Sequence, residues 1–172
     1  ELGLVGSEMC IRDRVMANFI LGGGSLASRL GDRVRQQEGL SYGIRSGFSA
    51  HPIDDRGRLT ISAITNPINR TKLEKAISEE LNRWIEEGIT EEELKRAQQG
   101  YLQGQQLQRS NDRVLTGLIG STLFAGRTLD YYADLEKAIG RLYPEAVNET
   151  VRERISSNKL IQVFAGDVGA KE

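Results

Sequence analysis

The sequence predicts an α+β domain in which an antiparallel or mixed sheet is covered by several helices. Three observations predict it: two period-two segments within residues 41–66, a succession of long amphipathic segments after Pro67, and one more β-patterned run near the end of the chain. The order is helices, two strands, a run of helices and a final strand, which does not alternate as a doubly wound fold does. At 172 residues with 38% hydrophobic content, the chain can form one domain that buries roughly 70% of the surface its unfolded form exposes. No internal repeat or low-complexity linker divides it.

The elements follow in order. Residues 1–14, ELGLVGSEMCIRDR, lack a charged start followed by an apolar core and so do not form a signal peptide; GLVGSEMCIRDR instead resembles translated sequencing adapter. This segment is expected to be non-native or disordered, with the native N-terminus missing and the single domain running from Val15 to Glu172, itself a possible truncation point. From Val15 the pattern reads helix, glycine interruption at Gly22–Gly24, helix, with Leu26, Leu30 and Val34 at helical spacing and Gly39 as the stop. Tyr42, Ile44, Ser46, Phe48 and Ala50 then alternate with smaller or polar residues as a strand does, HPIDDRG makes a turn, and RLTISAITN supplies a β-branched second strand. The next helix carries Leu73, Ala76, Ile77, Leu81, Trp84 and Ile85 on one face, should cover the sheet, and ends at Gly88. TEEE at 90–93 predicts a capping box, with Thr90 bonding forward and Glu93 reaching back, at the start of another helix. Two further amphipathic helices carry Val114, Leu115, Leu118, Ile119, Thr122 and Leu123, and Leu135, Ala138, Ile139 and Leu142. Pro144 opens a short helix to about Ile155, and KLIQVFAGD is expected to return to the sheet as a buried strand.

Composition excludes several functions. Basic and acidic side chains number 23 and 24, so no basic surplus recommends nucleic acid or an anionic membrane as a partner. The longest apolar run, VMANFIL, falls far short of the roughly 20 residues of a membrane span, so a water-soluble domain is expected. Cys10 is the only cysteine and His51 the only histidine. An internal disulfide is thereby excluded, as is a zinc site built from histidine and cysteine, which needs three or four ligands. Serine or cysteine nucleophile chemistry would have to use His51, which sits in a polar loop without the rest of a triad, and Asp54 and Asp55 read as turn formers. GGGSLASRLG lacks the Lys-Ser/Thr ending and the preceding strand of a phosphate loop, so its glycines read as a helix break that allows close packing.

Arg35 and Tyr42 remain. The run NFILGGGSLASRLGDRVRQQEGLSYGIRSGFSA, followed by two strands, a helix ending in WIEEGITEEELKRA and more helices, resembles the insulinase or pitrilysin-type zinc metallopeptidases, processing-peptidase-like members included. The resemblance is to a later, non-zinc domain of that family and covers the chain from Val15 to Asp167. It implies a clam shell of two related halves. The zinc motif His-x-x-Glu-His belongs to the other half, in the same polypeptide or another subunit, so this chain binds no metal and is inactive alone. It also implies an extended peptide as substrate, reached by an arginine and a tyrosine spaced as Arg35 and Tyr42 are. When zinc-bound water attacks a peptide carbonyl, negative charge grows on its oxygen. Tyr42 could donate a hydrogen bond there, and Arg35 could fix a neighbouring backbone carbonyl.

Other readings stay open at this level. Tyr42 shares a strand face with Ile44 and Phe48 and could be a core tyrosine, while Arg35 could be a solvated helix-end cation. The family also contains inert core subunits of a respiratory complex, which makes a scaffold the alternative function. A free-standing anion or nucleotide module using Gly22–Gly24 is the third. A bacterial protein of the periplasm or the cytoplasm is expected.

Overall fold

The structure is a computed structural model and describes residues 6–24, 28–50 and 57–166. His51, Asp54, Asp55, Leu26 and Asp167 lie outside the described residues. Helix α1 spans Gly6–Asn18 and so includes part of the adapter-like segment; Met16 is buried, as is Asp13, which accepts a hydrogen bond from Thr150 at 3.3 Å. The chain continues as a π-helical segment, Phe19–Gly23, and breaks at Gly24, whose N–H returns to the Phe19 carbonyl at 2.8 Å. A second π-helical segment, Gly31–Gln37, follows the interruption and stops where the sequence places the stop, at Gly39 with φ 62°, a left-handed conformation that favours glycine.

Strand β1 (Gly43–Ala50) and strand β2 (Gly57–Ile64) form an antiparallel pair with Gly43 opposite Ile64 and Ala50 opposite Gly57. Ile44, Ser46, Phe48, Leu59, Ile61 and Ala63 turn toward the helices; Arg45, Thr60 and Ser62 face outward. Helix α2 (Arg70–Glu87) lies against this inner face. Its Leu73 and Ala76 join Val34 and Leu40 in a small core with Ile44, Ala63 and Ile77 packed on it. Farther along α2, Leu81 and Trp84 enter the main core with Met16, Leu21, Leu30 and Leu94. The helix ends at Gly88, φ 76°. Helix α3 (Glu91–Arg109) begins with the full capping box, the Thr90 hydroxyl accepting from the Glu93 N–H while the Glu93 carboxylate accepts from the Thr90 N–H.

Helices α4 (Asp112–Phe124), α5 (Asp130–Ile139) and α6 (Pro144–Arg154) follow the predicted order. Ile139, Leu142, Val147 and Val151 reach the main core, whereas α4 buries Thr122 and leaves Leu123 and Phe124 exposed. The α+β class therefore stands, with one correction. Residues 160–166 belong to no helix or strand, and the sheet among the described residues has two strands. Leu160, Ile161, Val163 and Phe164 are exposed rather than buried. A short apolar run has the pattern of a buried strand wherever it lies, but pairing also requires a sheet edge within reach. Here a turn at Ser157–Lys159 lays the segment beside α2, where the Arg70 guanidinium sits 4.2 Å from the Phe164 ring centroid.

Candidate functional site

Arg35 and Tyr42 meet at the corner between the second π-helical segment and β1. The Arg35 guanidinium carbon lies 4.9 Å from the centroid of the Tyr42 ring, within reach of a cation–π attraction worth about 0.5–1 kcal/mol at an exposed site. Seven positions separate the two residues, and the chain reversal at Gly39 closes the gap. Tyr42 is 87% exposed. It is thus not a core tyrosine. The strand begins at Gly43, so Tyr42 stands before the pleat and swings out instead of following Ile44 inward. Its hydroxyl has no hydrogen-bond partner among the described residues, which leaves a phenolic donor facing outward.

The corner beneath is rigid for reasons the spacing did not reveal. The buried Ser41 donates its hydroxyl to the Ile64 carbonyl at 2.7 Å, and Thr65 donates to the Leu40 carbonyl at 2.5 Å. These two bonds fasten the residues just before Tyr42 to the end of β2. Leu40 and Val34 anchor the same corner in the small core on α2. Serine and threonine flanking a strand pair were the available signal, but their partners lie more than twenty residues away in sequence.

A cavity of about 280 Å³ opens beside the pair, bounded by Gly22–Gly24, Arg35, Tyr42 and Arg45. Gly22 is there because nothing larger fits: a β-carbon on it would lie 2.8 Å from the Ser46 backbone nitrogen and 2.9 Å from its hydroxyl. The phosphate-loop reading fails on the same residues, since the Gly24 N–H is already committed to Phe19 and Gly22 is pressed against β1. Gly22→Ala is expected to push β1 away from the first π-helical segment and cost about 1–3 kcal/mol, read as a lower midpoint in chemical denaturation. An unchanged midpoint would show that the contact relaxes without strain.

The stem of the corner is tied down by Arg29. Its Nε and Nη2 donate to the two Glu93 carboxylate oxygens at 2.7 and 2.9 Å, and Nη2 also reaches the Gly88 carbonyl at 2.7 Å. Burial pushes the Glu93 carboxyl up, but the bonds from Arg29 and the Thr90 backbone outweigh it and hold it below the usual carboxylate range. Arg33 likewise meets Glu38 and Glu79. Arg35, by contrast, has no carboxylate within salt-bridge distance among the described residues.

Among the described residues no group of His, Cys, Asp or Glu is placed to hold a metal ion, and the whole chain has one histidine and one cysteine, so these residues do not fit a zinc centre. Nor does any helix among them have the length and apolarity to cross a membrane.

Comparison with known proteins draws these features together. Among solved structures, the peptidase M16 inactive domain from Pseudomonas fluorescens is 28% identical with a TM-score of 0.74, the match covering 87% of this chain and 35% of that one. A protease from Helicobacter pylori (18% identical, TM-score 0.70, covering 87% and 35%) and the periplasmic protease PqqL from Escherichia coli (20%, 0.63, 84% and 16%) share the fold. This chain therefore spans about a third of the first two, by the 35% coverage of each. No curated protein matches it. The sequence profile described as "Peptidase M16 inactive domain" matches residues 11–101, from α1 through the corner and both strands into α3. Since that stretch is more than half of the chain and contains the corner itself, the chain belongs to the peptidase M16 inactive-domain family.

Proposed function

We propose that this chain is the substrate-binding, non-zinc half of a zinc metalloendopeptidase, working with a zinc-bearing half in the same polypeptide or another subunit. The observation that carries the reading is the convergence of Arg35 and the 87% exposed Tyr42 on the rim of an open cavity, in a member of the inactive-domain family. An extended peptide segment laid along this rim meets two donors of different character. The Arg35 guanidinium is always charged and planar, suited to gripping a backbone carbonyl and fixing register. The Tyr42 hydroxyl is a neutral donor. As the scissile carbonyl is attacked, charge accumulates on its oxygen and a bond from Tyr42 strengthens with it, which lowers the barrier more than it tightens substrate binding. The ring contact with Arg35 and the bonds of Ser41 and Thr65 keep both groups in place before substrate arrives, so little ordering remains to be done on binding.

The test is hydrolysis of an internally quenched, unstructured peptide by this chain, by a zinc-bearing half carrying His-x-x-Glu-His, and by the two together. Hydrolysis is expected only with both. Activity of this chain alone, or no gain on mixing, contradicts the reading.

A further inference from the structure

Resting on this peptide-binding reading, we propose that a second cavity, which adjoins the first at Gly23, is a subsite for one large uncharged side chain of the bound peptide, aromatic or aliphatic. This cavity measures about 230 Å³ and is lined by Phe19, Phe48 and Tyr101, with Val15 beside them. All three aromatics are half-buried, so each keeps open surface for a guest. Phe19 and Tyr101 meet edge to face with 5.7 Å between ring centroids. Phe48 stands on the inner face of β1, two positions beyond Ser46, which borders the first cavity. Gly23 lines both cavities, and together they follow β1. From Tyr42 to Phe48 the strand covers about 20 Å, so an extended peptide reacting at Tyr42 carries a residue about six positions away past the second cavity.

Three aromatic rings around one space can receive either an apolar side chain or a cation. Two observations decide for the apolar one. No charged side chain lines the cavity among the described residues, so a cation entering it would shed water and find no counter-charge. Arg14 already lies over the Phe48 ring, its guanidinium carbon 6.0 Å from the centroid, and would repel a second positive charge. Helix α3 supplies the remaining wall. Its Tyr101, Gly104, Gln105 and Gln108 follow one another at helical spacing on one face. The side-chain amides of Gln105 and Gln108 have no hydrogen-bond partner among the described residues, which leaves donors and acceptors for the peptide backbone on either side of the guest. A β-carbon on Gly104 would meet nothing within 4 Å. Glycine inside a helix is destabilising and no neighbour requires one here; the side chain it lacks is space that the guest fills.

The experiment uses the chain itself, with backbone amide shifts followed as the capped amides of N-acetylated phenylalanine, leucine, glutamine and lysine are titrated in. Phenylalanine or leucine should bind about tenfold more tightly than glutamine or lysine and move the amides of Phe19, Gly23 and Gly104. Gly104→Leu, which fills the space without a clash, should bring the apolar probes to the level of glutamine, whereas Gly104→Ala should keep most of the preference; unchanged distant amides show that each variant is folded. Two ten-residue peptides of glycine, serine and glutamine, with one phenylalanine third from the N-terminus or third from the C-terminus, test the link to the rim. The one that runs in the right direction should move the amides of Gly104 and Tyr42 together. Equal binding of all four capped probes, a preference for lysine, or an apolar preference that survives Gly104→Leu overturns the subsite. Peptides that move Gly104 and never Tyr42 also overturn it, because the cavity then serves another occupant. The peptidase reading is measured separately by turnover in the assembled enzyme. A missing apolar preference leaves that reading standing, and a preference without any peptide hydrolysis leaves the subsite as part of a peptide-binding surface alone.

Discussion

Tyr42→Phe, made in an enzyme assembled with the zinc-bearing half, is expected to lower kcat by about 10²-fold while changing KM little, the size seen when one donor to a developing oxyanion is removed. The change deletes one oxygen that has no partner within the described fold, so stability should not move. The ring remains and with it the contact to Arg35. Arg35→Ala is expected to behave differently, raising KM and lowering kcat together, because a lost register penalises binding and alignment alike. Steady-state kinetics with one unstructured peptide separates the two patterns. If Tyr42→Phe leaves kcat unchanged, the hydroxyl takes no part in the reaction and the tyrosine only supports Arg35.

The largest effect on folding is expected from Arg29→Ala. Arg29 and Glu93 are 11% and 22% exposed at their side chains, and removing one member of a well-formed, largely buried pair costs about 3 kcal/mol, the low end for such pairs because solvent still reaches these two. Two groups are then left short of partners, the Glu93 carboxylate and the Gly88 carbonyl. Since a small domain is stable by only about 5–15 kcal/mol, the variant should show a clearly lower denaturation midpoint. The pH dependence has a definite sign. Glu93 is held below its ordinary range in the folded state, so its contribution is present above the unfolded-state value and is lost as pH falls through the folded one. The stability gap between wild type and Arg29→Ala should therefore narrow in acid. A gap that is constant down through the carboxylate range would mean that the pair contributes by packing and not by charge.

Much of this fold was legible because its signals are local. Gly39 and Gly88 mark helix ends by a conformation that other residues rarely adopt, and Thr90 with Glu93 announces a helix start within four residues. The strand pair follows from alternation alone. The corner was legible in part: the Arg35 and Tyr42 spacing is local, but whether the tyrosine faces in or out depends on where the pleat begins, which alternation places one residue too early. What could not be read is long-range or geometric. Arg29 meets Glu93 across 64 positions, and Ser41 reaches Ile64 across 23. The π-helical winding of Gly31–Gln37 leaves no mark in the hydrophobic period, although it helps set the direction of Arg35. Glu80 lies on the buried face of α2, where burial raises its carboxyl above the ordinary range despite the opposing charge of Arg83; its position in the helical period is the one hint of that. The C-terminal run shows the converse, a strand pattern whose pairing edge is not supplied.

The central claim is that Tyr42 touches substrate, and contact is best measured by photocrosslinking. Benzoylphenylalanine introduced at position 42 of the assembled enzyme, where 87% exposure leaves room for it, should crosslink to a bound peptide, map to the residues flanking the scissile bond, and be suppressed by excess unlabelled peptide. A probe that labels only protein, while the enzyme still binds and cleaves the same peptide, would contradict the account.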